Sequence, residues 1–208
     1  MARPIVRTVA SAVVGYLVAL LPSAEIAARL ASGGDVDLRR DGTGNPGGAN
    51  AVGVLGRRWG LGVMAADIAK GAFACRVGRR LAGDTGQHVG GVAAVVGHCY
   101  PANRGFQGGK GVATSVGQCL ATFPVYVPID LGIAFGVQSI DPSPRRAHVA
   151  TMTASVTWVL AGVLWWRRGL PNAWGGAPTA GLPLGAAASS AVLYQRFRAA
   201  NGRDAGER

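Results

Sequence analysis

Two glycine-rich segments with basic residues beside them are the parts of this sequence best suited to chemistry. The first, residues 37–50, reads DLRRDGTGNPGGAN and has four glycines among polar side chains. Glycine lets several backbone N–H groups turn toward one point, which creates a concave anion site. Thr43 and Asn45 add side-chain donors, and Arg39 and Arg40 supply positive charge. The segment is predicted to bind a phosphate group; a merely flexible loop is the alternative that it leaves open.

The second segment, residues 106–114, reads FQGGKGVAT and comes just before an apolar stretch. It brings backbone amides, a helix N-terminus and the ammonium group of Lys110 together, a combination that holds phosphates. The pattern of an ATP-hydrolysing phosphate loop fails at two positions, which are occupied by Arg104 and Gly111. We therefore predict a phosphate contact without nucleotide hydrolysis.

Three ionisable residues lie within or at the ends of apolar segments. Asp67 and Lys70 are three residues apart and so share one helical face, and His98 immediately precedes the second glycine-rich region. Ionisable groups at such depth are costly and usually face a cavity or one another. The alternatives are an Asp67–Lys70 pair that only neutralises itself and a structural histidine.

The elements that position these residues are apolar segments long enough for membrane helices. Charged residues make up 15% of the 208-residue chain, against roughly 25% in ordinary soluble domains, and the 33 glycines suit closely packed membrane helices. The chain is predicted to be a single all-α, polytopic domain, residues 1–208, with about seven transmembrane helices. The predicted spans are residues 9–30, 61–81, 89–101, the two halves of 112–140, 148–166 and 177–197.

The net charge of +11 fits a membrane protein better than a nucleic-acid-binding one. Basic residues come as short pairs beside the apolar segments, as at Arg57-Arg58 and Arg79-Arg80, which suits contact with anionic lipid headgroups. Aromatic residues are not interleaved with them, so no nucleic-acid partner is expected. An outside N-terminus places more lysine and arginine inside the cell, and puts both glycine-rich loops in the cytoplasm.

The motifs, in order, resemble those of the acyl-phosphate:glycerol-3-phosphate acyltransferase family. They are the first glycine-rich loop, Asp67-x-x-Lys70-Gly71, Gly97-His98-x-x-Pro101 and the segment 106–114, and together they cover about residues 10–120. The resemblance implies a seven-helix, multi-pass enzyme of the bacterial plasma membrane. Its small-molecule substrates are acyl phosphate and glycerol 3-phosphate, its products lysophosphatidate and phosphate, and it needs no cofactor and no metal.

Together, the residues and the resemblance predict the members of the active site. Predicted catalytic residues are His98, Thr43, Asn45 and Lys70. Predicted substrate-binding residues are Arg39, Arg40, Gly44, Gly47, Asn50, Gly108, Gly109, Lys110, Gly111 and Thr114. Two phosphate dianions 4 Å apart repel by at least ~4 kcal/mol at an effective dielectric of 20, so several cations must gather. Because acyl phosphate is already activated, positioning and charge stabilisation suffice without a protein nucleophile.

Two other functions stay open at this stage. The stretch 194–201, YQRFRAAN, departs from the family's C-terminal signature, which favours a non-catalytic or altered paralogue that binds a phosphorylated lipid precursor. A small anion transporter is the third possibility, although transporters often contain inverted repeats and this sequence shows none. The acyl chain of a substrate is expected to lie between helices, open to membrane lipid.

Overall fold

The computed structural model describes residues 2–140 and 145–206, and these residues form helices and loops without a strand. This confirms the predicted all-α class. The α-helices are α1 (Ala2–Ala19), α2 (Ser23–Ser32), α3 (Gly48–Leu55), α4 (Arg57–Cys99), α5 (Val112–Thr122), α6 (Val127–Ile140), α7 (Arg146–Arg168) and α8 (Gly181–Gly206). Short 3-10 helices occupy Ala102–Arg104, Pro124–Tyr126 and Ala173–Gly175.

The outer surface of the helix bundle is apolar, as a lipid-facing surface must be. On α1, the large apolar residues Ile5, Val9, Val13 and Leu17 are each at least half exposed and lie four residues apart. This spacing puts them on one helical face. By length and hydropathy, residues Arg3–Ser32 and Arg146–Arg168 can each cross a membrane, and Val112–Thr122 with Pro124–Val137 is a third span if this bent pair counts as one.

The first predicted span, residues 9–30, is not one continuous helix. α1 ends at Ala19 and α2 begins at Ser23, so a turn separates them. Pro22 lies in this turn; because proline has no N–H group, it cannot donate the backbone bond that would continue α1. The interruption leaves the carbonyl groups of Leu20 and Leu21 without helical donors, and both are used in the site described below.

α4 is a helical hairpin with two arms, residues 57–81 and 84–99. Its backbone leaves the helical conformation only at Ala82 and Gly83, where φ of Gly83 is 63°. A Cβ on Gly78 would lie 2.0 Å from the carbonyl oxygen of Gly86, so the two arms touch through their backbones. The predicted spans left residues 82–88 between them as a loop. In the structure the turn has only two residues, because Gly83 adopts a positive φ.

The second half of the chain contains α5, α6, α7 and α8. α5 and the helical segment after it meet at Pro124 with a bend of 119°, at the break that the sequence predicted. Seven helical segments correspond to the seven predicted spans. They are α1 with α2, the two arms of α4, α5, α6, α7 and α8. The part of α8 near Arg196 packs beside the loop that precedes α5, so both glycine-rich loops lie at one end of the bundle.

Candidate functional site

A pocket opens where the α1–α2 turn, the end of α4 and the two glycine-rich loops meet. The space in it, together with the solvent at its open mouth, amounts to about 340 Å³. Its polar and charged lining consists of Ser23, Glu25, Arg39, Lys70, His98 and Arg104, together with the backbone of Gly108 and Gly109. Residues far apart in the sequence, from 23 to 109, therefore line one pocket, whereas a polar turn would contain only neighbouring residues.

The broken turn between α1 and α2 supplies backbone acceptors to two cations. Lys70 Nζ donates to the carbonyl oxygen of Leu21 at 2.6 Å, and an Arg104 guanidinium nitrogen donates to the carbonyl oxygen of Leu20 at 3.0 Å. Irregular backbone is tolerated at such depth only where protein groups or water satisfy it. Here the two cations satisfy it, and the turn in return fixes where they lie.

A buried network surrounds Lys70. Its ammonium group donates to Asp67 Oδ1 at 2.8 Å and Ser23 Oγ at 2.9 Å, besides the carbonyl of Leu21. Ser23 Oγ in turn donates to Asp67 Oδ1 at 2.6 Å. An ammonium group has three N–H donors, and these three acceptors account for all of them. This geometry favours a role for Lys70 in holding the α1–α2 turn against α4.

His98 faces the same network at the end of α4. Its Nδ1 atom lies 3.7 Å from Asp67 Oδ1, which is beyond hydrogen-bonding distance but close enough for the carboxylate to favour a proton on that nitrogen. Nε2 points instead toward Gly109, where an added Cβ would lie 2.3 Å from it. His98 is also among the residues that line the pocket.

Glu25 ties two arginines together at the pocket. Arg104 binds it side-on, with Nε 2.5 Å from Oε1 and a terminal guanidinium nitrogen 2.9 Å from Oε2. Arg39 approaches Oε1 at 2.9 Å from the other loop. The Glu25 carboxylate therefore joins a residue of the first glycine-rich loop to one that precedes the second.

The first glycine-rich loop is organised by Asn50 at the start of α3. Its amide nitrogen donates to the carbonyl oxygens of Leu38 and Asp41, and its Oδ1 accepts the backbone N–H of Thr43 at 2.7 Å. Gly42 has φ of 67° and lies against the Asn50 side chain, where a Cβ would be 2.3 Å from Oδ1. Asn50 therefore shapes the loop that delivers Arg39 to the pocket.

The second loop packs its glycines tightly against His98. The amide of Gly108 donates to the carbonyl oxygen of Cys99, and the amide of Gly109 donates to that of His98 at 3.2 Å. These two N–H groups thus donate to carbonyl groups of the protein itself, whereas we predicted from the sequence that they donate to a phosphate. A Cβ on Gly108 would lie 1.9 Å from the His98 carbonyl oxygen, so glycine is required here for close approach.

Two further cations lie at this loop: Lys110, which belongs to it, and Arg196, which comes from α8. Lys110 Nζ lies 4.8 Å from the centre of the Phe197 ring. Arg196 donates to the carbonyl oxygens of Gly108 and Gly109, and its guanidinium stacks 5.2 Å from the centre of the Tyr100 ring. Although the 194–201 stretch departs from the family's signature, α8 still contributes an arginine that fixes the loop against His98.

The structure brings some predicted site residues into the pocket and leaves others outside it. Arg39, Lys70, His98, Gly108 and Gly109 line the pocket. Those that do not line it are Arg40, Thr43, Gly44, Asn45, Gly47, Asn50, Lys110, Gly111 and Thr114. Thr43 is exposed, and Thr114 is fully buried on α5 against Gly71 of α4. In the described residues, no three His, Cys, Asp or Glu side chains are arranged to hold a metal ion.

Sequence reasoning missed Ser23, Glu25 and Arg196 as members of this site. An acidic residue near the end of an apolar segment is itself a signal of function, and Glu25 fits that description. For Ser23 and the backbone of the α1–α2 turn, only Pro22 hinted at a break. Arg196 stands alone in a segment without a clear motif, and nothing local shows that it reaches a loop nearly 90 residues earlier.

Comparison with known proteins gives one consistent result. The profile of the family described as glycerol-3-phosphate acyltransferase matches residues 9–203. A glycerol-3-phosphate acyltransferase of Thermoanaerobacter sp. (strain X514) is 35% identical over 158 residues, covering 76% of this chain and 77% of the relative. One of Symbiobacterium thermophilum is 38% identical over 152 residues and covers 73% of each chain.

Solved structures agree with the fold. PlsY, an integral membrane glycerol 3-phosphate acyltransferase, in its glycerol 3-phosphate form, superposes with a TM-score of 0.76 at 25% identity, covering 97% of this chain and 93% of that one. The same protein in its lysophosphatidic acid form gives a TM-score of 0.74 at 24% identity. The likeness thus extends over nearly the whole helix bundle.

Proposed function

Since the chain belongs to the glycerol-3-phosphate acyltransferase family, we propose that its pocket is where an acyl group is transferred to glycerol 3-phosphate. The acyl donor is acyl phosphate, and the products are lysophosphatidate and inorganic phosphate. The protein acts in the bacterial plasma membrane with the pocket at the cytoplasmic face. Support comes from the family match, the apolar outer surface of the helices and the motifs around the pocket.

The observation that carries this proposal is the gathering of cations beside His98. Arg39, Lys70 and Arg104 line the pocket together, against two carboxylates, Asp67 and Glu25. The pocket thus has excess positive charge where two phosphorylated substrates must meet. Preorganised charge of this kind stabilises the negative charge that develops during acyl transfer, without reorganisation at the moment of reaction.

His98 acts on the attacking hydroxyl group. With Asp67 near Nδ1, the Nε2 lone pair accepts the hydroxyl proton of glycerol 3-phosphate as its oxygen attacks the acyl carbon. The new C–O ester bond forms as the bond from the acyl carbon to the phosphate oxygen breaks. The bonding electrons leave with the phosphate, and His98 passes the proton to that phosphate or to water, so the reaction is balanced without a covalent protein intermediate.

The other pocket residues bind or position. Arg39 and Arg104 contact phosphate oxygens, which guanidinium groups bind through paired N–H donors. Lys70 and Asp67 hold the α1–α2 turn in place, and Gly108 and Gly109 hold His98 by close contact. Thr43, Asn45 and Lys110 do not line the pocket, and they contact the part of the substrate that extends beyond it.

A direct assay tests the proposal. Purified protein in detergent is incubated with palmitoyl phosphate and glycerol 3-phosphate, and lysophosphatidate and inorganic phosphate are measured in parallel. We expect equal amounts of the two products, and no product when palmitoyl coenzyme A replaces the acyl phosphate. Hydrolysis of acyl phosphate without lysophosphatidate, or no turnover by well-folded protein, would contradict the proposal.

His98→Ala sharpens the same assay. Losing the group that accepts the proton should lower turnover by ~10²-fold or more. His88→Ala is the matched control, because His88 is a second buried histidine of α4, located beside Asp84 near the hairpin turn and outside the pocket. Full turnover by the His98→Ala protein would remove His98 from the reaction.

A further inference from the structure

The Arg39–Glu25–Arg104 cluster joins the two glycine-rich loops at the pocket. Arg39 belongs to the first loop and Arg104 precedes the second, while Glu25 comes from α2 between them. The side chains of Glu25 and Arg39 are 34% and 28% exposed, and that of Arg104 is 16% exposed. The cluster therefore stands at the open side of the pocket, where an incoming solute meets it.

Glu25 occupies the arginine donors that a phosphate would use. A carboxylate and a phosphate are both oxyanions, and a guanidinium fork binds either in the same way. Arg104 presents two adjacent N–H groups to the two oxygens of Glu25, the arrangement in which it would bind two phosphate oxygens. Arg39 uses only one of its five N–H groups in a side-chain bond to the described residues, so it has donors to spare.

We propose that Glu25 is an internal stand-in for substrate phosphate, which holds Arg39 and Arg104 together until a phosphate binds and displaces it. This inference rests on the proposed function. Without Glu25, the two guanidinium groups would repel each other across the pocket. Since Glu25 is one-third exposed, its carboxylate can rotate into water once a phosphate dianion takes over both arginines.

The stand-in lowers the affinity of the pocket for every phosphate, product included. A ligand that must first displace an internal competitor binds more weakly, by the fraction of molecules in which the site is already open. Inorganic phosphate and lysophosphatidate are both products that must leave before the next turnover. Glu25 therefore weakens the binding of both products and speeds their release from a pocket whose cations would otherwise retain them.

Binding of inorganic phosphate to the Glu25→Gln protein tests the proposal. Calorimetric titration of the full-length protein in nanodiscs with inorganic phosphate, and separately with glycerol 3-phosphate, should give dissociation constants about tenfold lower than wild type. Asp35→Asn is the control, because it changes the charge equally at an exposed residue outside the pocket. Glu25→Ala is a second variant in case the glutamine variant is unstable.

Each outcome decides a different point. Tighter binding in both Glu25 variants, with Asp35→Asn unchanged, supports the stand-in. Unchanged or weaker binding in both overturns it, since Glu25 would then only orient the arginines. Equal tightening in Asp35→Asn also overturns it, because bulk charge explains that result. Failure of wild-type protein to bind either phosphate counts against the proposed function itself and removes the basis of the inference.

Steady-state kinetics then show which phosphate uses the cluster. The KM of glycerol 3-phosphate and that of the acyl phosphate are measured separately on the Glu25→Gln protein. The substrate whose KM falls with the dissociation constant of inorganic phosphate is the one whose phosphate displaces Glu25. If neither KM falls although inorganic phosphate binds more tightly, the cluster is not a substrate site and the proposal is overturned.

Discussion

Replacing Gly109 by alanine should slow the reaction by displacing His98. An added Cβ would lie 2.3 Å from His98 Nε2, whereas an ordinary contact is at least 3.4 Å, so the ring must move by about 1 Å. Misplacement of a reacting group by that distance can cost ~10²-fold in rate, equivalent to about 2.7 kcal/mol of transition-state stabilisation. We expect kcat to fall by this factor while the KM of glycerol 3-phosphate changes little.

A matched glycine and a double variant separate this effect from general damage. Gly62→Ala is the control, because Gly62 lies on α4 with open space around its Cβ position, so the same added methyl group meets no neighbour. If Gly109 acts through His98, the His98→Ala/Gly109→Ala protein should be no slower than His98→Ala alone, since neighbouring residues that act as a unit are not additive. Wild-type kcat in Gly109→Ala, or fully additive losses in the double variant, would refute the reasoning.

Two further predictions concern the lysines near the pocket. Lys70→Met should lower the free energy of unfolding by about 3–5 kcal/mol, because it leaves the Asp67 carboxylate buried without its partner. Chemical denaturation measures this loss. The double variant Asp67→Leu/Lys70→Met should recover most of it, because it removes the buried charge as well. A single variant as stable as wild type would contradict the positioning role. Lys110→Ala should raise the KM of one phosphorylated substrate about tenfold to a hundredfold, for the loss of a contact of ~1.5–3 kcal/mol. If titration of each substrate leaves both KM values unchanged, Lys110 stays on Phe197 and does not touch phosphate.

The order of helices could be predicted from sequence because it depends on local composition. Apolar stretches, glycine-rich interruptions and Pro124 located the spans and the bend between α5 and α6. The meeting of both glycine-rich loops at one pocket followed from the alternation of spans across the membrane. These features need only the hydropathy of each segment and the position of its breaks.

The contacts inside the pocket could not be predicted in this way. Glu25 and Arg104 are 79 residues apart, and Arg196 is 87 residues from Gly109, so no local pattern pairs them. Glu25 contacts Arg39 and Arg104 because two loops fold over α2, and the sequence of α2 alone does not show this. The roles of Gly108 and Gly109 were likewise hidden, because the same glycines suit an anion nest or a close contact with His98.

The hairpin of α4 has a consequence for how the enzyme responds to its bilayer. Gly78 and Gly86 touch through their backbones, and a Cβ on Gly90 would lie 2.7 Å from the carbonyl oxygen of Ala74, so the two arms are fastened along several turns. Lys70 belongs to one arm and His98 to the other. When bilayer thickness changes, helices tilt to match it. These two arms must tilt together, so hydrophobic mismatch should leave the distance between Lys70 and His98 unchanged.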